Sequence, residues 1–134
     1  IRLIGQPSPM EETMSSIHKF SKNKNYKWEG VEGSPIEMDG VQSAVIHILI
    51  GENENAPNSI MRFIQLDSGG HSRLEQHSHE HEVIILQGKG KVQIENEISD
   101  VEPFDVVFIE GNALHQFSNP YDEAFGFICI IPKL

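Results

Sequence analysis

The stretch "LEQHSHEHEVIILQGKG", residues 74–90, sets three histidines and three glutamates among the eight positions from Glu75 to Glu82. An apolar run, Val83–Leu86, and two glycines, Gly88 and Gly90, follow directly. Apolar residues on both parities over so short a run mark a strand covered on both faces, and the glycines mark its end. What precedes that strand is either a solvated loop or a set of metal ligands. Imidazoles bind a divalent transition metal at about 2.0–2.2 Å, so ligands must converge on one point. Residues two apart on a straight strand lie about 6.6 Å apart. His77, His79 and His81 on one strand would span about 13 Å, too far to share an ion. A site here needs the chain to turn inside the cluster, and it needs a ligand from elsewhere. His115, in "EGNALHQFSN" (residues 110–119), follows a turn and opens a strand pattern, so it is the candidate.

Working outward, the chain from Val41 onward is a succession of short β-type runs with turn punctuation. "VQSAVIHILIG" is followed by the loop "ENENAPN", and "SIMRFIQL" by a turn at "DSGG". After the cluster come "EVIILQG", "KVQIE", an acidic turn "NEISD", "DVVFI", the turn "EGNA", "HQFS", the turn "NPYDE" and "AFGFICIIP". No helix pattern of ten residues lies in this part, so the expected fold class is all-β, a closed barrel or sandwich. Residues 1–40 lack a clear period and read as an irregular N-terminal extension packing on the barrel or on a partner subunit; 41–134 form the barrel. Within the extension, Ser8, Pro9 and Glu11 permit a short capped helix. Tyr26 and Trp28, in the polar "SKNKNYKWEG", are expected to lie back on the body.

Composition narrows the partners. The chain has 134 residues, 38% hydrophobic, with a formal net charge of −10. Residues 1–40 are nearly balanced, whereas 41–134 carry fourteen acidic side chains against five basic. A body so acidic repels phosphate backbones, and no nucleic-acid partner is expected. No apolar run approaches the roughly 20 residues that span a bilayer, so no membrane partner is expected either. No charged-then-apolar leader is visible among the first residues. The single cysteine, Cys129, fits a reducing cytoplasm, the expected location. The both-faces-apolar strands and "AVIHILI" exceed what one barrel of this size buries, so a homodimer is expected.

Gly69 and Gly70, the His/Glu cluster, Gly88 and the later segment "DVVFIEGNALHQFSN" together resemble the two motifs of the cupin superfamily, G-x5-H-x-H-x3,4-E-x6-G and G-x5-P-x-G-x2-H-x3-N. The similarity is to small single-domain cupins whose first motif contains H-x-H-P-W-E-H-E, and it extends from about Val41 to Lys133. It implies a double-stranded β-helix, a jelly-roll barrel with a metal in its mouth. The second motif departs from the pattern at Phe104, Glu110 and Asn112, which stand where it has glycine, proline and glycine.

Two registers of the first motif compete. One takes His77 and His79 as the H-x-H pair, which leaves no room for a hairpin before the next ligand. The other runs without gaps from Gly69 through Glu75, His77 and His81 to Gly88, with Ser78-His79-Glu80 as a turn. The second register is preferred. It gives a metal set of Glu75, His77, His81 and His115, one carboxylate with three imidazoles. A carboxylate hardens the site and favours Mn²⁺, Fe²⁺ or Ni²⁺ over Zn²⁺ or Cu²⁺, with one divalent ion per subunit.

The resemblance also places Arg62 on a strand facing the pocket, where a buried guanidinium needs an anionic partner or substrate. His79 is a candidate acid or base by position, and Cys129 shares a strand face with Phe127 and Ile131. His47 reads as packed, and His18 and His71 as surface residues. The implied function is a metal-dependent enzyme on a small organic substrate, with oxygenase-type oxidoreductase chemistry the commonest expectation for such cupins. Decarboxylase or isomerase chemistry is an alternative on the same fold. So is a non-catalytic ligand-binding or sensor barrel with a structural or vestigial metal.

Overall fold

The computed structural model describes residues 13, 15–23 and 25–134. The helix expected around Ser8–Glu11 lies outside the described residues. Nine strands follow in order: β1 Gly33–Pro35, β2 Gln42–Ile50, β3 Ser59–His71, β4 His81–Gln87, β5 Gly90–Ile94, β6 Glu97–Val101, β7 Val106–Ile109, β8 His115–Ser118 and β9 Phe125–Pro132. A single 3-10 turn, Glu52–Glu54, caps the β2–β3 loop. No helix among the described residues is long and apolar enough to cross a membrane.

All pairings are antiparallel. One layer runs β1-β2-β3-β9-β4-β7, the other β6-β5-β8, and β3 belongs to both. Along most of its length β3 pairs with β2 and β9; at its end His71 pairs with Ser118 of β8. The sheet therefore curls on itself as a jelly-roll double-stranded β-helix. Leu66, Val83, Ile85, Phe117, Phe125 and Phe127, drawn from both layers, fill the interior.

The crossing point corrects one reading of the sequence. "DSGG" is not a turn between strands but part of β3, which continues to His71. Between the pairs Leu66–Ala44 and His71–Gln42 the register slips, and the extra residues form a bulge that bends the strand toward the second layer. Gly69, at φ +81°, takes the left-handed conformation there at little cost. The bulge is held by Gly69 N–H donating to Asn119 O and Asn119 N–H to Gly70 O, each at 2.8 Å.

A second correction concerns "NEISD". Only Glu95 and Asn96 turn; residues 97–101 form β6. This strand is an edge, paired only with β5, and just Val101 of it is buried. An exposed, charged edge strand buries too little apolar surface to leave a period-2 signature.

Tyr26 and Trp28 lie back on the outer face, as expected. Tyr26 stacks on Phe63 at 5.9 Å and Trp28 tilts against it at 5.0 Å. His47 is buried beside the same ring. Phe63 is wholly enclosed, and its replacement by Ala would cost about 3–5 kcal/mol. His18, read from the sequence as a surface residue, bridges Glu29 O at 2.9 Å and the Glu54 carboxylate at 3.2 Å. At the other end of this layer the outer face is bare: Phe104, Val106 and Phe108 are exposed on and beside β7.

Candidate metal centre

The segment between β3 and β4 and the turn before β8 are laced together, and this lacing assembles the site. Glu75 and His115 exchange backbone hydrogen bonds, Glu75 N–H to His115 O at 3.1 Å and His115 N–H to Glu75 O at 2.9 Å. Asn112 N–H donates to His77 O at 2.7 Å, and Gln76 Nε2 donates to Asn112 O at 2.6 Å. Ser78 O lies against Gly111 where any Cβ would sit, so this position needs glycine for close approach rather than for its dihedral freedom. The chain then bends at Ser78–His79, and β4 opens at His81.

As a result His77, His81 and His115 present ligand nitrogens within 4.8 Å of one another. Their three ring-to-ring distances are all 4.8 Å. His77 Nδ1 donates to His79 O at 3.1 Å and His115 Nδ1 to Ala113 O at 2.9 Å. Those carbonyls fix the tautomer and leave each Nε2 lone pair free, the arrangement typical of metal-bound histidine. His77 Nε2 and His81 Nε2 face each other at 3.0 Å. Neighbouring ligands on an ion at about 2.1 Å stand about 3 Å apart when their bonds are perpendicular. Burial, with the fields of His115 and Arg62, pushes the His81 pKa down to about 3, so at neutral pH the ring is uncharged and able to bind metal. Three convergent, pre-oriented imidazoles fit a divalent metal ion.

The remaining predicted residues fall around this trio. Glu75 is half-exposed, its carboxylate 3.5 Å from His77 Nε2. The His79 ring lies flat on His77 at 3.8 Å between centroids, and its nitrogens are not part of the convergent set. Burial lowers its pKa, aided by His77. Arg62, on β3, donates from Nη2 to Cys129 Sγ at 3.0 Å. In the tautomer that turns His81 Nε2 toward the cluster, His81 Nδ1 donates to the same sulfur, also at 3.0 Å. Burial raises the Cys129 pKa, and Arg62 opposes that only in part. Asn119, the last residue of the second motif, is not in the site. Its side-chain amide donates to Leu66 O and Glu123 O, and its oxygen accepts from Tyr121 N–H, so it pins the β8–β9 turn.

His81 and His115 line a cavity of about 440 Å³ together with Glu75, Ile64, Phe127, Arg62 and Cys129. Ile36, Met38 and Val41 also line it; they precede β2, in a stretch too aperiodic to suggest a pocket wall. A larger hollow, about 540 Å³, lies between His18, Glu32 and the 3-10 turn. No convergent ligand set lies there among the described residues, so the smaller cavity is the candidate site.

Fold and site define a class, a jelly-roll β-barrel with three convergent histidines that could hold a metal ion, and the comparisons with known proteins identify the family of that barrel. The Cupin domain family matches residues 62–131, and the chain belongs to that family. It is 37% identical over 109 residues to a 1-methylthio-D-xylulose 5-phosphate methylsulfurylase from Rhodospirillum rubrum, covering 79% of this chain and 69% of that protein. A cupin-2 domain crystal structure from Rhodospirillum rubrum superposes with a TM-score of 0.75 at 35% identity, covering 82% of this chain and 74% of the other. A cupin 2 conserved barrel domain protein from Rhodopseudomonas palustris gives 0.79 at 30% identity, covering 89% and 81%.

Proposed function

We propose that this cupin is a metal-dependent enzyme acting on a small organic substrate in the barrel mouth. The observation that carries the reading is the convergence of His77, His81 and His115, two of which, His81 and His115, line a mainly apolar cavity. Glu75 is proposed as the fourth ligand, within reach through its carboxylate beside His77. With that carboxylate the set favours Mn²⁺, Fe²⁺ or Ni²⁺. A divalent ion held there would act as a Lewis acid toward a substrate oxygen. The protein's own contribution is to orient and exclude. Backbone carbonyls hold His77 and His115 in one tautomer and the Cys129 sulfur partners His81. Ile64 and Phe127 exclude water from one side, and Arg62 offers positive charge.

For the reaction, the Rhodospirillum rubrum relative is named for an activity on 1-methylthio-D-xylulose 5-phosphate. A phosphorylated small sugar of that kind is the first substrate class to try. Metal analysis of purified protein, then turnover of that substrate and O₂ uptake on carboxylic acids and diketones, tests the reading. Metal at one equivalent with turnover in either assay supports it. Oxygen uptake alone would favour the oxygenase-type expectation. Metal retained without turnover on any of these would favour the non-catalytic barrel, and absence of metal would end the proposal.

A further inference from the structure

Arg62 stands on β3 opposite Cys129 of β9 and lines the same cavity as His81 and His115. Its Nη2–H has only a sulfur acceptor, which is weak, and its Nε is buried with no hydrogen-bond partner. Among the described residues no carboxylate lies within salt-bridge distance of it. A guanidinium is always charged and carries five donors. Burying such a group is costly unless an anion pairs with it. The setting sharpens the anomaly. Residues 41–134 hold fourteen acidic side chains and only five basic ones, yet two of those five, Arg62 and Arg73, line this one cavity. Glu37 and Glu75 line it too, but neither lies within salt-bridge distance of Arg62. A divalent ion on the histidines would add further positive charge beside Arg62.

We propose that the cavity takes a small organic oxyanion, a carboxylate or a phosphate ester, whose negative group pairs with Arg62 next to the histidine cluster. The inference rests on reading this cavity as the binding site of a metal cupin, and it assigns the group that selects the ligand by charge. Position supports it. Arg62 Nη2 and His81 Nδ1 are each 3.0 Å from the same sulfur, so a bound anion is held close to the metal ligands. The planar fork of the guanidinium suits two oxygens of one anion. The apolar lining beside it, with Ile64 and Phe127 two residues along the β3–β9 ladder and Val41 before β2, is left for the apolar part of the molecule.

The test is calorimetric titration of metal-loaded and metal-free protein with pyruvate, glycerol 3-phosphate and, as an uncharged control, glycerol. At least one anion binds and glycerol does not; which anion binds distinguishes carboxylate from phosphate. Arg62→Met then weakens anion binding by about tenfold or more while metal content stays at the wild-type value. Arg62→Lys keeps the charge, loses the fork and falls between the two. Anion affinity unchanged in Arg62→Met, glycerol binding as tightly as the anions, or no anion binding to either form would each overturn the proposal. If Arg62→Met does not fold, unchanged affinity in Arg62→Lys overturns it instead. A protein that takes up no metal sinks the metal-enzyme reading alone, because the metal-free titrations still decide the role of Arg62.

Discussion

Two kinds of residue meet at the metal centre, and they are held differently. His81 and His115 each open a strand, β4 and β8, and both are buried, 7% and 3% exposed. Each backbone is fixed by ladder partners, Ile109 for His81 and Ile94 for His115. Glu75, His77 and His79 come from the connecting segment before β4, where the side chains of Glu75 and His77 remain 39% and 21% exposed. That segment is held by a few hydrogen bonds to the turn at Asn112 and by the close approach to Gly111. Strand-borne ligands are placed by the pairing of the whole barrel, whereas loop-borne ones are placed by local contacts that a single substitution can undo.

The largest effect expected from this difference is at the strand-borne pair. His81→Ala or His115→Ala should weaken metal binding by more than about 100-fold, beyond the loss usual for an outer partner. The barrel should survive, because its stability rests on apolar burial, and the metal-free variants should unfold within roughly 1 kcal/mol of wild type. Metal titration and urea denaturation of the same samples measure both. Full metal retention in both variants would place the ion elsewhere.

Loop-borne positions should respond in graded fashion. Gly111→Val drives a side chain into Ser78 O and should displace the His77 segment without touching any ligand. A loss of about tenfold in metal affinity, the scale of a lost supporting contact, is expected with β4 and β8 unchanged by amide exchange. Glu75→Ala should produce a loss of similar size if its carboxylate completes the set. His79→Ala should leave metal binding nearly unchanged, because its ring rests on His77 without joining the convergent nitrogens. A His79 variant that loses metal while the Glu75 variant keeps it would reverse the register and break the distinction drawn here.

The same contrast explains what could be read in the sequence. The barrel was legible because β2, β4 and β9 carry dense apolar runs. β4 and β9 are covered on both faces over most of their length, whereas Ile48 and Ile50 of β2 stay exposed. The need for a bend between His77 and His81 follows from strand spacing alone, and the chain bends there. β6 was hidden because an edge strand of charged residues buries almost nothing. The bulge at Asp67–Gly70 looked like a turn because glycines serve both purposes, and only pairing with β8 distinguishes them. The contact of Arg62 and His81 with Cys129 was out of reach for another reason. It depends on β3 and β4 both pairing with β9 in a particular register, and that register is nonlocal. Ile36 and Met38 reach the cavity from a segment whose own sequence has no period.

The smallest effect belongs to a contact between two loop-borne groups far from the metal. His18 Nε2 meets the Glu54 carboxylate at 3.2 Å. The Glu29 carbonyl first, and Glu54 second, raise the His18 pKa above 6.5. The Gly51 amide, chiefly, lowers that of Glu54 below 4.5. A raised histidine pKa stabilises the fold fully below pH 6.5, and that contribution is lost as pH climbs through the folded value. A lowered glutamate pKa stabilises above pH 4.5, and its contribution is lost as pH falls through the folded value. The pair is therefore at full strength between pH 4.5 and 6.5. His18→Gln should reduce stability most near pH 5.5, by a few tenths of a kcal/mol, the range of surface pairs. At pH 8 the difference from wild type should shrink. His47 and His81, whose pKa values are lowered by burial, make both proteins less stable in acid, but they titrate alike in each and cancel in the difference. Urea midpoints of the two proteins at pH 5.5 and 8 give that difference directly. A gap that widens at pH 8 would show that His18 acts as a neutral packing residue and that this tether is not ionic.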